Sequence, residues 1–404
     1  MKANKRGRRQ FLRGGAALAA LAIGKTQSLS AQIAEPQDFL EGPRTYGERS
    51  RFETSLRNPT HTPVGDSVGI ITPSALHFVN NHSYNPPDID PQQHRLMIHG
   101  MVERPLVFTM EELKRLPSVS RVHFIECAGN SAEGRNHNTI QETHGFMSCS
   151  EWTGVLLSVL LREAGVQEGA SWVLAEGADT PKHSKSILLE KAMEDVLVAY
   201  GQNGEAIRPD QGYPLRLVTP GWEGISNVKW LRRLKVVDEA HMARMESTMY
   251  IVHWPRLNGR VRWYNFEMGP KSVITRPSGG QQMAGRGYTE ITGLAWSGRG
   301  AIRRVEVSTN GGRSWSDAQI QQPVHRIAHT RFVFPWTWNG EEALIQSRCT
   351  DDAGMAQPTL DDIGRMWGVD RGFWRTTRTR VNHFNPIWPW KINPDGSVHN
   401  GLLV

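Results

Sequence analysis

Cysteine is scarce in this chain, with three residues in 404, at positions 127, 149 and 349. Three thiols allow one disulfide at most, and no Cys-x-x-Cys-His motif occurs, so the chain is expected to carry no covalent c-type haem. His94 and His99 stand at no convincing zinc-ligand spacing from a carboxylate or thiol. Long apolar runs are missing too. The Gly/Ala/Leu stretch over residues 14–24 is too short to span a bilayer, so no transmembrane anchor is expected. Repeats and low-complexity tracts are absent. Positive charge is plentiful only at the start. Lys2, Lys5, Arg6, Arg8, Arg9, Arg13 and Lys25 all precede the first acid, Glu35, and account for the whole formal net charge of +7. The rest of the chain is neutral, which removes a nucleic-acid footprint from the reading.

What the N-terminus does hold is Arg8-Arg9-Gln10-Phe11-Leu12-Arg13, a twin-arginine pair leading into that short apolar stretch, with Ser28-Leu29-Ser30 as a small-x-small site. Residues 1–34 read as a twin-arginine signal. Such signals serve proteins exported already folded, usually because a cofactor was inserted beforehand. The expected location is the periplasm.

Residues 35–66 are polar and irregular and read as an N-terminal arm laid over the surface. Strands and helices alternate from about residue 68 to 250, without the strict beat of a doubly wound fold. Residues 154–163 form an amphipathic pattern closed by Gly165 at a C-cap position. Leu215-Arg216-Leu217-Val218 and Leu234-Lys235-Val236-Val237 read as short strands, and Arg232-Arg233 as a solvated strand edge. The texture changes near residue 265. Val305 to Ser308 alternates before Asn310-Gly311, Phe332 to Trp338 before Asn339-Gly340, and Ala343 to Cys349 again. These are the marks of an immunoglobulin-like β-sandwich. The expected architecture is α+β: a mixed catalytic domain over 67–264, the sandwich over 265–390 and a C-terminal tail over 391–404.

Chemistry concentrates at Phe124-Ile125-Glu126-Cys127-Ala128-Gly129-Asn130. An apolar strand ends on a thiol followed by turn residues, which holds a soft ligand at a loop edge where a bulky cofactor can approach. The residues leave a second reading open, in which Cys127 and Cys149 form a structural disulfide in a non-enzymatic extracytoplasmic binding protein.

Separate segments decide between these by resemblance. Phe78-Val79-Asn80-Asn81-His82, Glu126-Cys127-Ala128-Gly129-Asn130, Glu176-Gly177-Ala178-Asp179, Gly212-Tyr213-Pro214-Leu215-Arg216, Val228-Lys229-Trp230-Leu231 and Gly293-Leu294-Ala295-Trp296-Ser297-Gly298 resemble, in order, the sulfite oxidase family of molybdenum enzymes. The segment Lys271 to Gly280 looks most like the SoxC branch, molybdenum subunits of thiosulfate-oxidising Sox systems. The resemblance implies one molybdenum-molybdopterin per chain, with Cys127 as the metal's protein ligand. It implies that His82, Asp179, Arg216 and the Asn227-Val228-Lys229 segment hold the pterin and its phosphate. Tyr250 falls at the position of an active-site tyrosine beside the metal, and Arg299 in a loop that the second domain points at the substrate. A homodimeric core, a c-type cytochrome as electron acceptor and a sulfur substrate, either free sulfite or carrier-bound sulfane sulfur, complete the implied function.

The chain also departs from the family's pattern. Sulfite binders carry Arg before the Asn-His pair and an Arg pair directly after Cys-Ala-Gly-Asn, where this chain has Asn80 and Ser131-Ala132. Gln211 replaces a family histidine. Arg135, His137 and His144 stand close enough in sequence to restore part of the missing charge.

Overall fold

The computed structural model describes residues 53, 55–57, 60–81, 85–250, 252–254, 259–261, 267–376 and 383–403, and Thr54–Val404 form one compact unit. The signal, most of the arm and His82 lie outside the described residues.

The first part of the chain supplies ten strands: β1 (Arg95–Gly100), β2 (Leu106–Thr109), β3 (Ser118–Glu126), β4 (Met147–Leu156), β5 (Trp172–Gly177), β6 (Ser184–Leu188), β7 (Leu197–Gln202), β8 (Glu205–Ala206), β9 (Arg216–Val218) and β10 (Leu231–Val237). One sheet runs β2-β1-β10-β5-β6, with β1 and β10 parallel and the other pairs antiparallel. A second runs β3-β4-β7-β8, with β9 beside β7. Leu157–Ala164 is a helix whose Leu157, Leu160 and Leu161 join Ile98, Val173 and Leu234 of the first sheet in one core. Gly165 closes it at φ +71°, donating to Leu161 O, a conformation in which a β-carbon would be strained. The helix starts later than its amphipathic pattern suggests. Gly154, Val155 and Leu156 pair with Ala199, Val198 and Leu197, so sheet hydrogen bonds claim them for β4.

Beyond the short hairpin of β11 (Val252–Trp254) and β12 (Gly259–Val261), two facing antiparallel sheets build the sandwich. Its strands are β13 (Lys271–Arg276), β14 (Gly287–Trp296), β15 (Ile302–Ser308), β16 (Ser316–Asp317), β17 (Gln319–Ile320), β18 (Thr330–Trp338), β19 (Ala343–Asp351), β20 (Pro389–Ile392) and β21 (Val398–Asn400). One sheet is ordered β13-β14-β18-β17, the other β16-β15-β19-β20-β21. The expected C-terminal tail thus supplies a sheet edge: β20 pairs with β19, and β21 with β20. Ile291, Phe332, Ile345 and Cys349 fill the space between the sheets, as alternation in β14, β18 and β19 requires.

The same apolar cluster continues through Phe124, Met147 and Cys149 of the first part, so the two parts share a core. Val64, at the end of the arm, is buried in it. Arg232 and Arg233 depart from the sequence reading. They lie on β10, a central strand, and both guanidinium groups bond to the Glu176 carboxylate on neighbouring β5.

Candidate active site

β3 ends at Glu126, and the next residue carries its sulfur into a cleft. Cys127 N donates to Phe146 O at 2.9 Å and Asn130 N donates to Cys127 O at 2.9 Å, closing a turn around Ala128 and Gly129. Gly224 lies against this turn from the other side. A β-carbon there would stand 3.0 Å from Glu126 O and 3.3 Å from Cys127 Cα, so a larger residue would press on the backbone that carries the thiol. All three cysteines are free, which sets aside the disulfide reading. Cys127 is half-buried, whereas burial pushes the Cys149 thiol up to about 12.

The cleft spans about 620 Å³, open solvent at its mouth included. Cys127, Asp179, Arg216, Asn227, Lys229 and Tyr250 line it together, brought from five separate loops and strand ends. Asn80 Nδ2 donates to Cys127 Sγ at 3.2 Å. Arg216 is buried over the Trp152 ring, 4.7 Å from its centroid, and donates to Gln211 O (2.8 Å) and Asn227 O (3.3 Å). Lys229 Nζ donates to Asn81 Oδ1 and Asp210 O, both at 2.7 Å. Asp179 Oδ1 accepts the His183 N–H at 2.9 Å, so its Asx-type turn and its place in the cleft coexist. Tyr250 follows a π-helical turn over Met245–Met249 and packs with Ala128 and Ile225.

Val228 does not line the cleft. Its side chain is in the core and its carbonyl accepts from Leu217 N at 2.8 Å, so it anchors the strand that carries Arg216. Arg299 is not among the lining residues; its guanidinium pairs with Glu267 at 3.3 Å. Arg135, His137 and His144 also stand apart from the cleft. Ser131 adopts φ +67° and turns the chain toward the sandwich; Arg135 donates to Trp374 O, His137 faces Glu142, and His144 Nδ1 and the Ser131 hydroxyl share a hydrogen bond of 2.6 Å. Charge is therefore not restored beside the sulfur from that loop. Sequence reasoning missed His77 and His183, which also line the cleft. His77 adjoins the Phe78 to His82 motif and His183 follows Asp179 by one turn, so proximity to recognised motifs was the available signal.

Burial first, then the Arg216 charge, pull the Lys229 ammonium down to about 7. Arg216 is lowered by burial as well, yet a guanidinium keeps its charge at neutral pH. The Asp210 and Cys127 charges act in the opposite direction on Lys229, but burial and Arg216 outweigh them. Buried Arg216 Nε and His77 Nε2 have no protein hydrogen-bond partner in this structure, and burial holds His77 neutral. Among the described residues no cluster of three or more His, Cys, Asp or Glu could hold a metal ion.

Comparison with known proteins identifies the family. Residues 82–245 match the oxidoreductase molybdopterin binding domain, and residues 262–382 the Mo-co oxidoreductase dimerisation domain. The crystal structure of the sulfane dehydrogenase SoxCD from Paracoccus pantotrophus superposes with a TM-score of 0.79 at 38% identity, over 94% of this chain and 96% of that one. The chain belongs to the sulfite oxidase family of molybdopterin oxidoreductases. Curated relatives include nitrate reductase [NADH] 1 of Arabidopsis thaliana, 34% identical over 67% of this chain and 33% of that protein, and nitrate reductase [NADH] of Ulva prolifera, 34% identical over 69% and 36%. The chain thus spans about a third of the length of the nitrate reductases it matches. Family membership implies a molybdenum-molybdopterin cofactor, and the thiol, the cations and the unpartnered Arg216 and His77 nitrogens fit one.

The depressed Lys229 pKa has a measurable consequence. An anion that settles between Arg216 and Lys229 draws a proton onto the amine, so binding weakens as pH rises through the free-site value. Sulfate, whose charge is constant in this range, is expected to bind the full chain expressed without molybdate about tenfold more weakly per pH unit above roughly 7. Titration calorimetry at several pH values checks this, and Lys229→Met should flatten the slope.

Proposed function

We propose that this oxidoreductase oxidises sulfur outside the cytoplasm, acting on protein-bound sulfane sulfur of a carrier in preference to free sulfite, with water as oxygen source and a c-type cytochrome as electron acceptor. The observation that carries the substrate preference is Asn80 on Cys127 Sγ, at a position where the family resemblance expects arginine. A free dianion needs several charge-assisted bonds to offset its desolvation. A carrier-borne group needs fewer, because docking of the carrier contributes binding energy remote from the reacting atom. The likeness to a protein titled sulfane dehydrogenase supports the same choice. The twin-arginine start supports export, and the dimerisation-domain match supports a homodimeric core.

When bound, the molybdenum cofactor supplies two-electron redox chemistry and oxygen transfer. In this reading Cys127 holds the metal, Arg216 and Lys229 hold the phosphate, and the Asp179 carboxylate accepts from the N–H edge of the pterin. His82 is proposed for the pterin as well. Asn80 donates to the sulfur and orients it. Tyr250, held in an apolar wall, offers one phenolic hydrogen bond to orient substrate.

Steady-state rates with free sulfite and with a thiosulfate-loaded carrier protein, in the presence of a c-type cytochrome, test the substrate. A higher kcat/KM for the carrier is expected. A free-sulfite value near about 10⁷ M⁻¹s⁻¹, with no gain from the carrier, rejects the preference. Tyr250→Phe is expected to lower turnover roughly 10- to 100-fold, toward the lower end of positioned acid–base groups. Its unfolding temperature should barely change, and an unaltered rate removes the role.

A further inference from the structure

Strand β13 is unusual in its burial. Lys271 to Thr275 are all buried, although three of the five are polar. Ser272 and Thr275 find partners within the sandwich, at Gln357 Oε1 and Thr292 O. Lys271 does not. It is 1% exposed, and its ammonium crosses to the other part of the chain to meet Glu126 Oε1 at 2.6 Å, 145 residues away in sequence. The sandwich contributes a second donor, Trp296 Nε1, to Glu126 Oε2 at 2.7 Å.

Glu126 immediately precedes Cys127 and is itself 1% exposed. Its Oε1 also accepts Asn130 Nδ2 at 2.8 Å. Asn130 then fixes the turn: its Oδ1 accepts Phe146 N at 3.1 Å, Phe146 O accepts Cys127 N, and Asn130 N donates to Cys127 O. Both backbone polar groups of Cys127 are therefore tied to residues that Glu126 orients. Burial would raise the Glu126 carboxyl, but Lys271, His383 and the hydrogen-bond donors outweigh it and hold the group below its ordinary value. Apolar contact between the two parts sets their distance. A dehydrated ion pair adds direction and register, because its geometry tolerates little displacement.

We propose that the sandwich positions the metal-binding thiol: Lys271 and Trp296, acting through Glu126 and Asn130, are positioning residues for Cys127. This rests on Cys127 being the molybdenum ligand, and it makes the interface between the two parts a component of the redox site.

The test compares the full chain with Lys271→Met, which strands a buried carboxylate, and with Glu126→Gln/Lys271→Met, which removes both charges. Iodoacetamide reports on the thiol in protein expressed without molybdate, since Cys149 and Cys349 are buried. The double variant is expected to unfold cooperatively and to be alkylated at Cys127 at least about threefold faster than the parent. Protein expressed with molybdate should show a shifted or weakened sulfur-to-molybdenum charge-transfer absorption. A folded double variant with the parental alkylation rate and an unchanged absorption overturns the proposal. So does a double variant that cannot fold, because the network is then a folding element. Failure of the ligand reading is distinct: it appears as a charge-transfer absorption that survives Cys127→Ser, which the alkylation comparison does not involve.

Discussion

Cys127→Ser is expected to fold and to lose turnover by at least about 10³-fold, equivalent to ~4 kcal/mol of transition-state stabilisation. The substitution removes one soft ligand and little else. Serine is nearly isosteric, and the half-buried side chain leaves the turn to its backbone bonds with Phe146 and Asn130. Stability should therefore change by less than about 1 kcal/mol. A hydroxyl is a hard, weakly acidic donor that does not replace a thiolate on a soft centre. Three measurements decide the matter: molybdenum per chain, the sulfur-to-metal absorption band and turnover. Normal turnover in the serine variant, or parent protein that purifies without molybdenum despite cofactor supply, removes Cys127 from the metal.

The second large effect is expected at Arg216. Arg216→Met should weaken cofactor retention by roughly 30- to 1,000-fold, in the range of 2–4 kcal/mol for losing one side of a desolvated charged contact. The fold should survive. Two carbonyls, Gln211 O and Asn227 O, lose a donor, at about 1 kcal/mol each. Against that, the neighbouring Lys229 is relieved of a repulsive charge that helps to depress its pKa. The amine should titrate closer to its ordinary range, so the pH slope of sulfate binding moves upward. Arg216→Lys should recover little retention, because an ammonium presents no planar fork to a phosphate and cannot reach both carbonyls from over Trp152. Metal content after gel filtration, with thermal unfolding of the same samples, reads both halves. Full retention with methionine at this position would falsify the phosphate assignment.

Much of the site could be read along the chain because its motifs are local. A strand that runs into Cys-Ala-Gly-Asn places a thiol at a turn wherever the rest of the molecule lies. The glycines and asparagines of the hairpins likewise mark the strands of the sandwich. Asp179, Arg216, Asn227, Lys229 and Tyr250 meet Cys127 at one cleft, although the sequence could only order them. Where local signals competed, they failed in a regular way. Gly154 to Leu156 carry a helical pattern, but pairing with β7 satisfies their backbone groups first. Arg232-Arg233 reads as a surface pair, yet β10 became central and Glu176 took both charges.

By itself, then, the sequence determined most of the elements and the chemistry each could offer: a thiol after a strand, cations within segments that resemble a molybdenum family, and no formal net charge beyond the twin-arginine start. Those follow from short-range sterics and composition, which do not depend on distant residues. Only the tertiary structure decided which charges face the sulfur. The left-handed turn at Ser131 sends Arg135, His137 and His144 toward the sandwich, and Glu267 engages Arg299 away from the cleft. Only the tertiary structure joined Glu126 to Lys271 and Trp296, partners 145 and 170 residues away. A buried charge must find its counter-charge in the folded core, and no local preference records where that partner will come from.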